Sequence, residues 1–331
     1  MIIKKQAYAR AGFLGNPSDQ FFGKTISLSI KNFGTNVLLY EAPELRIEPQ
    51  AQDLNVFKNV HDLVDSINLS GYYGGTRLIK AAIKKFYEYC KENKIKIHNK
   101  NFSIRYFSSI PRQVGLAGSS AIITATIKAL LEFYHVKIPN EILPSLILSV
   151  EKDELGIKAG LQDRVIQVYE GCVYMNFKKE QMMKKGYGIY EKIDHSLVPN
   201  LYIAYKTDLS KVSGPVFNNV HVRYNEGDQF VINTINKIAD IAEQGKTALK
   251  QKDYIKLNSL INENFDQRAK IFNISKSNLE MIEIARNCGA SAKFTGSGGS
   301  IIGLYNNDEV LAKLIVNLKK INVRVIKPYI S

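Results

Sequence analysis

A strand, a glycine-bearing loop and an apolar helix follow one another without interruption between residues 102 and 133, and no other feature limits the possible folds as much. Residues 102–108 read as a strand, and residues 121–133 form an apolar run of helical length. Between them lies Pro111-Arg-Gln-Val-Gly-Leu-Ala-Gly-Ser-Ser-Ala121. Gly115 and Gly118 let backbone N–H groups approach an anion, and Ser119 and Ser120 are expected to cap the helix. No Lys-Ser/Thr follows the last glycine, so this is not a Walker loop. The residues alone leave a phosphate site and an ordinary serine-capped helix both open.

The chain has 331 residues, enough for two packed cores. Residues 25–33 and 36–41 alternate around Gly34, which predicts a hairpin near the N-terminus. Leu78, Ala82, Phe86 and Tyr89 recur at helical spacing over 75–92, after a glycine turn at 71–75. Helices are expected over 140–154 and 162–169, then a strand at 172–177. The polar stretch 178–199 reads as a join between two halves. Beyond it come a strand at 201–205, helices over 228–250, 254–266 and 277–287, a strand at 291–295, a glycine turn, a strand at 301–305, a helix from Asp308 and a last strand at 323–326. That order suits an α+β sandwich with a mainly antiparallel sheet. No internal repeat or low-complexity tract appears.

Charge narrows the class further. The net charge of +14 is spread along the chain, whereas nucleic-acid binders concentrate Lys and Arg in one stripe. No nucleic acid or membrane partner is expected: no apolar run approaches a membrane span, and no leader is read at the N-terminus. Cys90, Cys172 and Cys288 are odd in number and far apart, which argues against a disulfide framework or cysteine-based metal site and for a reducing, cytoplasmic setting.

Three further segments carry polar groups in small-residue surroundings. Ala292-Lys-Phe-Thr-Gly-Ser-Gly-Gly-Ser300 lies between two expected strands; it fails as a dinucleotide fingerprint because Ile301 stands where the third glycine belongs, so a plain glycine hairpin is the simpler reading. In Ala9-Arg-Ala-Gly-Phe-Leu-Gly-Asn-Pro-Ser-Asp19 and on to Lys24, the side chains of Arg10, Asn16, Asp19 and Lys24 can orient hydroxyls and anions, or simply form a turn. Glu151 and Asp163, twelve residues apart with glycines between them, suit one metal-binding and one proton-accepting carboxylate, though either alone reads as a surface acid. His61, His98, His135, His195 and His221 show no ligand spacing.

In this order the segments resemble the three motifs of the GHMP kinases, the superfamily of galactokinase, homoserine kinase and mevalonate kinase. The superfamily's middle motif runs Pro-x-x-x-Gly-Leu-(Gly/Ala)-Ser-Ser-Ala, and this chain has one extra Gly before the serines. ARAGFLGNPSDQFFGKTISLSIKNF, GYYGGTRL, NFSIRYFSSIPRQVGLAGSSAI, LGIKAGLQDRVIQVYEG and AKFTGSGGS are similar, more closely still, to the glucuronokinases of plants.

The resemblance implies a two-domain α+β kinase, with an N-terminal half (1–180) like domain 2 of ribosomal protein S5 and a ferredoxin-like C-terminal half (181–331), and ATP and sugar between them. It implies an ATP phosphate loop on Pro111, Gly115, Leu116, Ala117, Gly118, Ser119 and Ser120, and Mg²⁺ on Ser120 and Glu151. Asp163 is the implied catalytic acid–base group, Arg10 the cation beside it, and Asp19 a sugar-hydroxyl acceptor. Thr295, Gly296, Ser297, Gly298 and Gly299 make up the third-motif loop. Asn16 stands where galactokinase carries Glu. A uronic acid substrate needs a cation for its carboxylate; Arg77, after the turn holding Tyr72, Tyr73 and Gly74, is favoured over Lys24 and Arg164, because Arg can grip a carboxylate with two parallel hydrogen bonds. The implied activity is an ATP-dependent sugar-1-kinase acting on D-glucuronate. The alternatives are a GHMP kinase for galactose, galacturonate or a mevalonate-like alcohol and, more remotely, an RNA-binding protein with an S5-like domain.

Overall fold

The computed structural model describes residues 1–49, 74–208 and 220–330. In chain order the strands are β1 (Ile2–Leu14), β2 (Lys24–Ala42), β3 (Arg46–Ile47), β4 (Asn101–Ser108), β5 (Cys172–Asn176), β6 (Ile189–Ile193), β7 (Leu201–Lys206), β8 (Lys293–Phe294), β9 (Ser300–Leu304) and β10 (Val323–Ile326). The helices are α1 (Gly75–Glu92), α2 (Gly118–Phe133), α3 (Leu143–Ser149), α4 (Gln162–Tyr169), α5 (Lys179–Lys185), α6 (Val220–Asn225), α7 (Gln229–Gln251), α8 (Tyr254–Ile271), α9 (Lys276–Asn287) and α10 (Asp308–Lys319). These elements pack as two compact units, each made of several stretches: Met1–Ala9, Phe33–Ile110 and Gly118–Val168 in the first, and Arg10–Asn32, Pro111–Ala117 and Tyr169–Ser331 in the second.

In the first unit, residues 35–42 of β2 pair antiparallel with β4, and β3 runs parallel to β4. On β4, Phe102, Ile104 and Tyr106 point inward while Arg105 and Phe107 are exposed, the alternation a half-buried strand requires. Phe102 meets Phe133 of α2 edge to face at 5.2 Å. Helix α1 packs against α2 with Leu78, Ile79, Ala82, Phe86 and Cys90 buried, the face its spacing predicts.

In the second unit, residues 24–28 of β2 pair with β5, which pairs with β6. A separate four-stranded sheet, ordered β10-β7-β9-β8, is antiparallel throughout, as expected. Its core joins Tyr202, Ala204 and Ile301 of the sheet to Met281, Ile282 and Ala285 of α9 and to Leu314 and Leu318 of α10.

Three sequence expectations need correction. No hairpin turns at Gly34: β2 continues through it for 19 residues. The glycine serves close approach instead, since a Cβ there would lie 2.9 Å from the Gln6 side-chain nitrogen and 3.3 Å from the Ala7 carbonyl. Gln6 and Ala7 belong to β1, a strand absent from the sequence expectations, which place only a polar segment or turn over residues 9–19. The stretch 178–199 is not a plain join: it forms α5 and β6, and β6 is hydrogen-bonded to β5 along its length. The third correction concerns Ser119 and Ser120, which lie inside the first turn of α2 and not before it.

Candidate active site

In the second unit the glycine loop is held from behind by the third motif. Gln113, Gly115 and Ala117 all have positive φ, at 57°, 71° and 61°. Such alternation turns consecutive backbone N–H groups to one side, the geometry of an anion-binding nest. A Cβ on Gly115 would sit 2.9 Å from the Gly298 carbonyl oxygen and 3.1 Å from the Ser297 nitrogen, so only glycine lets the two loops touch backbone to backbone. The Thr295 hydroxyl donates to the Gly115 carbonyl at 3.2 Å, and the Ser300 hydroxyl to the Val114 carbonyl at 2.5 Å. The segment is the hairpin expected, with Lys293 opposite Ile302 and Phe294 opposite Ile301.

Arg10 draws three distant segments together. Its backbone N–H donates to the Leu116 carbonyl at 3.1 Å. Its Nη1 donates to the Gly115 carbonyl at 3.1 Å and the Thr295 carbonyl at 2.5 Å. Two further buried cations, which the sequence reading did not single out, stand with it. The Lys293 ammonium donates to the carbonyls of Gly12 and Phe294, both at 2.9 Å, and to Asn16 Oδ1. Arg268 donates from Nη1 to the Gly296 carbonyl at 2.7 Å. A signal for each was available: Lys293 is a charge inside a small, apolar strand, and Arg268 continues the buried face of α8 through Leu257, Ile261 and Phe265.

Burial lowers Lys293 well below the ordinary lysine value of 10.5, and the charges of Arg268 and Arg10 push the same way. Between that lowered value and 10.5, the unfolded chain binds more protons at this site than the folded one, so stability rises with pH across the window. The stability advantage of wild type over Lys293→Met, read by denaturant unfolding at pH values below 10.5, is expected to widen as pH rises toward that value. A constant or shrinking difference contradicts it.

In the first unit the carboxylates form a separate cluster. Glu151 sits in a single π-helical turn, Val150–Glu154, continuing α3; such turns recur at functional sites. Ser119 Oγ donates to Glu151 Oε1 at 2.8 Å, and Arg164 pairs with Glu151 Oε2. Arg164 Nη1 also lies 3.4 Å from Asp163 Oδ2 and donates to the Gly160 carbonyl at 2.8 Å. The Asp163 side chain keeps 19% of its surface exposed against 2% for Glu151, so Asp163 is the more accessible of the two. Ser120 is fully buried, and the hydroxyl seen on Glu151 is that of Ser119. A hydroxyl and a carboxylate are hard oxygen donors that suit Mg²⁺, which takes few protein ligands when substrate phosphates supply others. Among the described residues no group of three or more His, Cys, Asp or Glu side chains forms an all-protein metal site.

The expected sugar-side residues are placed unevenly. Asn16 faces Lys293, and Asp19 lies in the 3₁₀ turn Ser18–Phe21. Lys24 pairs with Glu243 at 3.0 Å, a carboxylate that also accepts from the Tyr174 hydroxyl. Arg164 is committed to Glu151 and Asp163, which removes it as a carboxylate grip. Arg77 is exposed on the first turn of α1 and donates to the Leu155 carbonyl at 3.4 Å. Gly74 immediately precedes α1, whereas Tyr72, Tyr73 and His61 lie outside the described residues.

Comparison with known proteins identifies the family. The family model for the GHMP kinases N terminal domain matches residues 77–171, and that for the GHMP kinases C terminal matches residues 246–323. Glucuronokinase 1 of Arabidopsis thaliana is 48% identical over 306 residues, covering 91% of this chain and 84% of that protein. Probable glucuronokinase 2 of the same plant is 49% identical over 308 residues, with the same coverage. Among solved structures, the Methanococcus jannaschii mevalonate kinase superposes with a TM-score of 0.71 at 21% identity, covering 100% of this chain and 98% of the other. No helix among the described residues is long and apolar enough to cross a membrane. With both family models matched in order, and with near-half identity to two glucuronokinases over nine-tenths of its length, the chain belongs to the GHMP kinases.

Proposed function

We propose that this GHMP kinase is a glucuronokinase, transferring the γ-phosphoryl group of ATP to the anomeric hydroxyl of D-glucuronate to give glucuronate 1-phosphate and ADP. The observation that carries the reading is the 48% and 49% identity to glucuronokinases over 91% of the chain. Phosphoryl transfer needs positioned oxygens and neutralised charge more than covalent help. The alternating loop at 113–117 offers backbone N–H groups to phosphate oxygens, and Arg10 adds a fixed positive charge beside that loop. Asp163 accepts or orients the proton of the C1 hydroxyl, which is more acidic than an ordinary alcohol. Asp19 accepts from another sugar hydroxyl. Residues 1–180 and 181–331 serve as the two kinase domains, a division supported by one family model lying within each. The three cysteines are unpaired, which favours the cytosol as the setting.

Ser120 and Glu151, the pair the family resemblance implies, would hold Mg²⁺ together with nucleotide phosphates, with the Ser119 hydroxyl on Glu151 as the alternative hydroxyl ligand, and the bound ion would supply charge neutralisation. Ser120→Ala and Glu151→Gln are therefore each expected to raise the Mg²⁺ concentration that half-saturates activity, and Mg²⁺ titrations decide it. If both variants half-saturate where wild type does, the metal is held elsewhere.

ATP consumption measured over glucuronate, galacturonate, glucose, galactose and mevalonate tests the substrate. Glucuronate is expected to give the highest kcat/KM. A neutral hexose equal to or better than glucuronate contradicts the proposal.

A further inference from the structure

Arg268 is buried, held at one corner by the third-motif loop and flanked by two aromatic rings. The residue is 8% exposed, and its guanidinium lies 5.2 Å from the Phe272 ring centroid and 5.3 Å from that of Phe294. The two rings and the Nη1 bond to Gly296 fix the plane of the group. Its Nε is buried and without a hydrogen-bond partner. Arg164 and Arg286 also carry an unpartnered Nε, but each forms an ion pair, with Glu151 and Asp266 respectively. No carboxylate is seen within ion-pair distance of Arg268 among the described residues, although Asp19 is near enough to favour its charge. Burial, aided by the charge of Arg10, lowers the guanidinium to about 10, so it remains charged at neutral pH.

A buried guanidinium with one committed corner and one unfilled edge has the shape for a carboxylate, which takes two parallel hydrogen bonds. It stands at the third-motif loop and within electrostatic reach of Asp19, the residue proposed to take a sugar hydroxyl. We propose that Arg268, through its Nε–Nη2 edge, binds the C6 carboxylate of the uronic acid substrate and sets the preference for uronates over neutral sugars. The assignment rests on the glucuronate reading and replaces Arg77, which is exposed and bonded to a backbone carbonyl. If Arg268 only steadies the Gly296 loop, every sugar should suffer alike from its loss.

The test compares glucuronate with glucose in wild type and in Arg268→Met, with KM for ATP followed in parallel. Loss of the bidentate contact is expected to lower kcat/KM for glucuronate about tenfold or more. The loss for glucose should be smaller, so that the ratio of glucuronate to glucose kcat/KM falls about tenfold, any loss common to both sugars reporting the broken bond to Gly296. Equal losses for both sugars, or a glucuronate value that holds, overturn the assignment. Glucose turnover also reports whether the variant is folded. Should Arg268→Met fail to fold, Arg268→Lys with glucuronate and glucuronamide carries the test: the wild-type preference for the charged acid should shrink several-fold, and an unchanged ratio overturns the proposal. Wild type preferring glucose would instead refute the glucuronate reading itself, whatever the Arg268 variants do.

Discussion

Replacing Asp163 with Asn is expected to lower kcat by roughly two orders of magnitude or more while leaving KM for ATP close to wild type, because general-base and orienting effects are of that size. Asn keeps the shape and removes only the proton-accepting oxygen. The position favours this role: Asp163 lies in the first turn of α4, it is the more exposed of the two carboxylates, and Arg164 Nη1 stands 3.4 Å from its Oδ2. Arg164 also serves Glu151, so thermal unfolding should accompany the kinetics to show that the pair survives. A loss in kcat below about tenfold in a folded variant would remove Asp163 from the catalytic role.

Arg10→Met should be nearly as damaging, with an expected loss of about a hundredfold to a thousandfold in kcat, the size seen when one preorganised charge-stabilising donor is removed. Here stability should fall too. The Gly115 and Thr295 carbonyls both lose their Nη1 donor but keep the Thr295 hydroxyl and the Gly12 N–H, so what is lost is the charge-assisted share, about 1.5–3 kcal/mol per bond. Arg10→Lys returns the charge and one donor but not the fork, so it should recover part of kcat and less of the stability. Steady-state kinetics with thermal unfolding separate the two effects. A variant with lowered stability but near-normal kcat would make Arg10 a structural staple only.

What the sequence disclosed follows from how local the causes are. Helices α1 and α4 appear with the expected bounds because apolar spacing at 3.6 residues is written within each segment. The third motif was open to two readings, and its hairpin form was the simpler one; what only the structure displays is that this hairpin supports Gly115 from 180 residues away. Gly34 misled because a glycine between alternating runs signals a turn locally, whereas its cause is the neighbouring Gln6 and Ala7 on another strand. The serines misled for a similar reason. Their capping chemistry is local, but Ser119 is drawn to Glu151, 32 residues on. Lys293 and Arg268 were passed over because a buried cation is defined by partners such as Gly12, Asn16 and Gly296, none of which is adjacent in sequence.

The most direct measurement of the central claim is phosphorus NMR of the product formed from ATP, Mg²⁺ and D-glucuronate by the purified protein. A single new phosphomonoester, coupled through its phosphorus to H1 of glucuronate and appearing in step with ADP, is the predicted result. Phosphorus attached at another sugar oxygen, or no phosphorylation of glucuronate by a protein that turns over a neutral hexose or mevalonate, would contradict it.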